Sequence, residues 1–247
     1  MMEIDVSFIA ASICVVLICT VVQNIFGVGI LVFGTPLLLI LGYNFIDILC
    51  ILCPSSMCVS LIQLLANRDK KIFNLRFAVS SIIGVITGMI LFQMFAVPSF
   101  LYFLVAIIMF VAASLRLSEN LAGRFVVTVD KAGSAFYLLN GVFHGFCNLG
   151  GIFLVLRHST RNAYKSNGIV DTAFIYLIYV VCQSIFLYFY FDAKLLPFGF
   201  LLAPVMGFVT VLLIKTSFVT TVNRQVDIAL ATFFIVVGSV LLGKISF

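Results

Sequence analysis

Between Asp5 and Asp47 the chain carries no charged residue. As one helix, the run from Ser7 to Leu41 would extend about 52 Å at 1.5 Å per residue. The hydrocarbon core of a bilayer is about 30 Å thick. The run must therefore bend inside an apolar phase. It can do so at Gln23-Asn24-Ile25-Phe26-Gly27-Val28-Gly29, because Gly permits unusual torsions and close backbone approach. The arm beyond the bend, Ile30 to Leu41, is short for a crossing and carries Pro36, which kinks a helix. A re-entrant hairpin fits this stretch, and so do two short crossings.

The rest of the chain is of the same kind. Of 247 residues, 64% are hydrophobic and 9% charged, against about 25% charged in soluble domains. Apolar runs of about 20 residues recur, the pattern of a polytopic helical membrane protein. A barrel would show short alternating segments. The net charge of +5 does not point to nucleic acid, because the basic residues sit in short loops between apolar runs. Met1 to Asp5 contains no Lys or Arg, so no signal-peptide n-region is read there. The first helix is expected to belong to the mature fold. All seven cysteines fall in apolar segments, where Cys behaves as a small hydrophobe. No disulfide framework is expected.

Taken in order, segments are expected at about Asn44 to Ala66 and Asn74 to Phe95, then from the turn Val97-Pro98-Ser99 to near Leu115, and at about Ile169 to Phe191, Leu195 to Ile214 and Val226 to Leu242. A second long apolar run, Ala132 to Leu156, contains His144-Gly145-Phe146-Cys147-Asn148-Leu149-Gly150-Gly151. A shift of 121 positions places Gln23 on His144, Gly27 on Asn148 and Gly29 on Gly150. Gly84-x-x-x-Gly88 has the spacing that lets helices approach closely.

The basic residues orient these segments. If both broken runs return to the face they left, twelve of the fourteen Lys and Arg lie on one side, with Lys194 and Lys244 opposite. If the second run crosses, the split is nine to five. The positive-inside rule favours the first arrangement and puts both termini outside the cytoplasm. Each half then has one hairpin and three spans. Three is odd, so the halves are inverted, as in secondary transporters with discontinuous helices. The expected division is 1–118 as a first repeat, 119–130 as a central cytoplasmic loop and 131–247 as a second repeat.

The breaks are the candidate substrate site. Backbone exposed at membrane depth is tolerated where it lines a cavity, and free N–H groups at broken helix ends attract anions. Gly27, Gly29, Gly150 and Gly151 would supply the backbone, and Gln23, Asn24, His144 and Asn148 the side-chain donors. The same residues would also suit close packing and interhelical bonding. His144 reads equally as a proton relay or substrate donor and as a core histidine bonded across helices. Ser55 and Ser56, after Pro54, are further candidates, with Ser60, Gln183 and Ser184 behind them. Their alternative is bonding back to their own helices. Arg157, Arg161 and Lys165 are explained by cytoplasmic orientation and would also draw anions inward. Asp171 reads as a helix cap or a partner of Lys165, with a coupling role left open. Cys50-Ile51-Leu52-Cys53 has redox spacing in apolar surroundings, which keep thiols inert.

The glycine-rich breaks and their apolar arms resemble the TauE/SafE sulfite exporter family, the TSUP membrane permeases. The resemblance rests on Gly27-Val28-Gly29-Ile30-Leu31-Val32-Phe33-Gly34-Thr35-Pro36-Leu37-Leu38 and on Gly141, Gly145, Gly150 and Gly151. The Ser-rich start of the segment at 44–66, the turn at Arg68 to Lys71 and the Gly84/Gly88 helix are also similar. The chain departs from the family's pattern at Ile30, Asn148 and Ile152, where Gly, Gly and Pro are common. The resemblance implies a permease in a prokaryotic inner membrane moving a small sulfur-containing anion such as sulfite, thiosulfate or an organosulfonate.

The expectation is therefore an all-α, polytopic integral membrane protein of two inverted repeats, each with a broken or re-entrant hairpin plus three transmembrane helices. It is expected to be a transporter and not an enzyme, without cofactor or metal. Its partners would be a small anionic substrate and the lipid bilayer, with self-association left open and no nucleic acid. No Gly-x-x-x-x-Gly-Lys-Ser/Thr motif for ATP occurs. The rival reading is a membrane thiol-disulfide oxidoreductase using Cys50 and Cys53; a third is a membrane scaffold that transports nothing.

Overall fold

A computed structural model describes residues 6–26, 29–68, 75–95, 97–159, 169–191, 193–215 and 224–245. Gly27, Asp69, Lys70, Lys71, Arg161 and Lys165 lie outside the described residues. Among those described there are eleven helices and no strand. Seven helices are long and apolar enough to cross a membrane, which makes this a multi-pass membrane protein.

The chain opens with α1 (Val6–Phe26) and α2 (Ile30–Ile40), which form a hairpin. Tyr43, just past α2, stacks on Phe8 with ring centroids 3.7 Å apart. Its hydroxyl bonds the Phe8 carbonyl at 2.5 Å and Ser12 Oγ at 2.8 Å. The chain thus returns to the end where α1 began. Three helices follow: α3 (Phe45–Ala66), α4 (Leu75–Phe95) and α5 (Pro98–Leu117). Their starts are local. Asn44 caps α3 by accepting from the Asp47 N–H at 3.0 Å, and Pro98 opens α5, where a missing N–H costs nothing.

The second half opens with α6 (Glu119–Ala132), α7 (Ser134–Cys147) and α8 (Gly151–Ser159). The segment expected as a loop at 119–130 is a helix. Its polar composition hides an amphipathic pattern: Ser118 caps it, Glu119 and Lys131 suit its two ends, and Ala122, Val126 and Val129 are buried along one side. Helices α7 and α8 form the second hairpin. Arg157 on α8 hydrogen-bonds the Tyr137 hydroxyl near the start of α7 and pairs with Asp130 of α6 at 3.1 Å. The last helices are α9 (Ile169–Tyr190), α10 (Leu196–Lys215) and α11 (Arg224–Gly243).

The core is held by backbone approach at small residues. Gly84 and Gly88 of α4 face Gly141 and Gly145 of α7. A Cβ on Gly84 would stand 2.2 Å from the Leu138 carbonyl oxygen, and one on Gly145 2.2 Å from that of Val85. The expected small-residue helix therefore pairs with a second one of the same spacing. Helix α3 is the most enclosed of the long helices and packs between α9 and α10, while α5 packs on α11. Pro54 leaves the Cys50 carbonyl without its helical donor. Gly199 of α10 closes on that oxygen so tightly that a Cβ would lie 2.0 Å away. At one end of the bundle Arg116 pairs with Asp227 at 2.6 Å; at the other, Lys244 donates to the Ile40 carbonyl.

Candidate functional site

Each hairpin places a polar centre inside the apolar bundle. In the first, Gln23 is 1% exposed. Its Oε1 accepts from the Ile30 N–H at 3.1 Å, and its Nε2 has no partner. Gln23 thus caps α2 and takes up one of the broken-helix donors expected to face an anion. Gly29 is needed for space, since a Cβ would lie 2.3 Å from the Cys19 carbonyl oxygen. Asn24 donates to Thr20 O at 2.9 Å and Thr210 Oγ1 at 3.1 Å, and accepts from Gln63 at 3.4 Å. Gln63 lies three residues from the end of α3, about 5 Å along the helix. This centre sits toward the end of the bundle that holds Arg68.

The second centre forms around the break between α7 and α8. Asn148 ends α7 in the left-handed region at φ 64°, which Asn tolerates better than most residues. Its N–H bonds His144 O at 2.7 Å. Its side chain donates to Thr35 Oγ1 of α2 at 2.8 Å and accepts from Gln183 Nε2 of α9 at 3.4 Å. Gln183 in turn accepts from the Cys53 thiol of α3 at 3.4 Å. Four elements meet in this chain of side chains. Gln183 lies seven residues before the end of α9, about 10 Å along the helix. This centre sits toward the opposite end of the bundle from the first.

His144 is fully buried, and its ring nitrogens make no well-formed hydrogen bond, the Gln183 side chain being within reach. The ring stacks on Tyr179 at 4.2 Å between centroids and meets Tyr176 edge-on at 6.0 Å. Gln183 stands beside it. Asn140, one turn earlier on α7, donates to the Tyr179 hydroxyl at 2.9 Å. Gly150 and Gly151 are required for space: a Cβ on Gly150 would lie 2.6 Å from the Asn140 carbonyl oxygen, and one on Gly151 would overlap the Tyr176 hydroxyl. The N–H groups of Ile152 and Phe153 bond Leu149 O and Gly150 O at 3.1 and 3.2 Å. These too are used inside the fold.

The fold thus brings together His144, Asn148, Gly150 and Gly151. It places Gln23, Asn24 and Gly29 in a separate centre, each bonded or packed within its own surroundings. Gly27 is outside the described residues. Ser55 and Ser56 are both fully buried with no partner on Oγ, but they point about 100° apart around α3. The contacts add Thr35, Gln63, Asn140, Tyr176 and Tyr179 to the residues singled out from the sequence. The available signal was the run Tyr176, Tyr179, Gln183, whose steps of three and four share one face of α9. Cys50 and Cys53 are both fully buried, free thiols.

No family model, curated protein or solved structure matches this chain. What the two centres can do follows from their own chemistry. They offer hydroxyls, amides, an imidazole and a thiol, and the side chains joined at each centre carry no carboxylate, lysine or arginine.

Proposed function

We propose that this protein is a secondary transporter that moves a small, sulfur-containing anion across the cell (inner) membrane by alternating access. One observation carries the reading. Two broken hairpins start from opposite ends of the bundle, and both hold buried polar groups without a well-formed hydrogen bond: Gln23 Nε2 in one, the His144 ring in the other. Unsatisfied polar groups inside apolar helices are expensive. A substrate that completes the hydrogen bonds of one centre and then of the other gives a reason for them.

Two inverted repeats account for the order of elements. With the shift of 121 residues, α1 to α5 correspond in turn to α7 to α11. The packing follows the same exchange. The α3–α10 contact is matched by α9–α4, and α4–α7 by α10–α1, while α3–α9 and α5–α11 map onto themselves. Inverted repeats of this kind switch access by rocking one unit against another around a fixed site. The sulfur-containing class, sulfite, thiosulfate or an organosulfonate, rests on the resemblance to the TauE/SafE permeases.

A non-enzymatic role is part of this proposal. The burial of Cys50 and Cys53 favours it over thiol-disulfide exchange, since reactive cysteines sit in partly exposed electropositive settings.

The test is a thermal-stability panel on detergent-purified protein at fixed ionic strength, followed by flux into liposomes. The panel holds sulfite, thiosulfate, sulfate, a sulfonate and carboxylates of similar size. A ligand that binds only the folded protein raises its apparent stability. A selective shift and flux with a sulfur oxyanion is expected. A shift with carboxylates alone removes the substrate class, and no shift with any anion removes the reading.

A further inference from the structure

Away from the centre, hydroxyl side chains in this chain follow one habit. Thr87, Ser114, Thr232 and Ser239 each donate to the carbonyl four residues earlier, at 2.8 to 2.9 Å. That bond satisfies a hydroxyl in an apolar setting. Ser55, Ser56 and Ser60 of α3 and Ser184 of α9 break the habit, none with a partner on Oγ. Ser56 and Ser60 are fully buried, although their own helix offers a carbonyl one turn back, and they differ from the others in where they point.

Their placement gives the departure a direction. Cys53, Ser56, Ser60 and Gln63 recur at steps of three, four and three, so they share one face of α3. At one end Cys53 joins Gln183 and, through it, Asn148 at the second break. At the other end Gln63 joins Asn24 at the first. The face therefore links the two breaks over about 15 Å. Leu52 of α3 packs on Gly34 of α2, and Cys53 meets α9. At about 100° per residue, Ser56 and Ser60 fall between those two directions. They point into the seam between the re-entrant arm α2 and α9. Helix α10 covers the other side, with Gly199 on Cys50 and Pro54, and Gly207 on Cys58. Ser55 belongs to neither the seam nor the ladder.

We infer that Cys53, Ser56, Ser60 and Gln63 form the solute-contacting face along which a small oxyanion passes from one break to the other. This rests on the transporter reading. It also narrows the substrate. The ladder offers thiol, hydroxyl and amide groups and no cation. Such a wall suits a singly charged oxyanion, because desolvating a second charge without a counter-ion is steeply unfavourable. Hydrogensulfite and a monosulfonate fit; the dianions sulfate and thiosulfate do not.

Two measurements test this. In the first, Ser55→Ala, Ser56→Ala and Ser60→Ala are compared for liposome flux of hydrogensulfite and for thermal stability. Removing a buried hydroxyl that has no partner does not destabilise a fold. All three variants are therefore expected to melt at or above the parent temperature. Flux is expected to fall about tenfold in Ser56→Ala and Ser60→Ala, and to stay within about twofold in Ser55→Ala. Equal effects at all three positions overturn the ladder.

The second measurement needs no knowledge of the substrate. Ser55→Cys, Ser56→Cys and Ser60→Cys, each in the otherwise native chain, are treated with a small anionic thiosulfonate. The modified positions are read by peptide mass spectrometry. Faster reaction at 56 and 60 than at 55 supports the ladder, even if no tested anion is transported; in that case the transport reading fails and the path stands. No reaction at 56 and 60, or no preference over 55, overturns it.

Discussion

Asn148 Nδ2 donates to Thr35 Oγ1 over 2.8 Å, so the break of the second hairpin is bonded to the arm of the first. The two residues are 113 positions apart in the chain. The bond is a direct side-chain link between the two hairpins, and both partners are fully buried.

Thr35→Val removes the acceptor and keeps the shape. It is expected to destabilise by about 1–3 kcal/mol, the range for stranding a buried polar group. Asn148→Ala loses the same bond and adds left-handed strain of about 1–2 kcal/mol. In a double-mutant cycle by denaturation in detergent, the variant carrying both changes should lose less than the sum of the two single losses. Strict additivity would show that the bond contributes nothing.

The contact of α4 with α7 allows no extra atom. Gly88→Ala puts a Cβ 2.2 Å from the Val142 carbonyl oxygen, so the helices must separate. A loss of several kcal/mol, or failure to purify as a folded monodisperse protein, is expected. Gly123→Ala on α6 meets nothing within 4 Å and should be neutral or gain up to about 1 kcal/mol from helix propensity. Similar melting temperatures for the two variants would contradict this packing.

Arg116 is 3% exposed in its side chain and Asp227 31%. Removing either partner is unfavourable, but stranding the more buried charge is worse. Asp227→Ala is expected to cost about 3–5 kcal/mol and Arg116→Ala less. The double Ala variant should recover part of the loss. If Arg116→Ala proves the more damaging single change, the burial argument fails.

The orientation that the positive-inside rule favours puts Lys194 and Lys244 outside and Lys131 in the cytoplasm. A membrane-impermeant amine reagent on intact cells should modify the first two and spare Lys131. Opening the cells should expose Lys131, which lies on an exposed position of α6. Labelling of Lys131 in intact cells would reverse or abolish the two-sided arrangement.

The cysteine pair gives a separate check on enzyme chemistry. Cys50→Ala should leave flux near the parent value. Cys53→Ser keeps a donor toward Gln183 and should do the same, whereas Cys53→Ala should lower it. Loss of function in both Cys50→Ala and Cys53→Ser would favour the oxidoreductase.

Much of this architecture is legible in the chain, and the reasons are local. Hydropathy and run length fall on consecutive residues, so membrane residence and the six unbroken spans can be read to within a few positions of α3, α4, α5, α9, α10 and α11. The first bend follows from a run too long for one crossing, and the second from its glycines and from the split of basic residues, which is nine to five if that run crosses. Helix α6 reads as a loop when its polarity alone is weighed; its buried positions at 122, 126 and 129 carry the helical period. The close approach of Gly84 and Gly88 is legible, but its partner is not.

Which polar residues meet was decided by packing alone. Equivalence under the 121-residue shift pairs Gln23 with His144, yet the hairpins start at opposite ends of the bundle and their tips reach different depths. Asn148 therefore finds Thr35 and Gln183, while Asn24 finds Thr210 and Gln63. Apolar helices carry no local signal for the rotation that turns one side chain toward another. That rotation is set where backbones can touch, at Gly84 on α7 and Gly199 on Cys50, and where the bare Gly151 backbone leaves room for the Tyr176 hydroxyl. The sequence by itself determined a helical membrane protein with two broken hairpins, because the hydrophobic effect acts on composition. The tertiary structure decided which buried hydroxyls and amides face one another, because hydrogen bonds need particular atoms within about 3 Å.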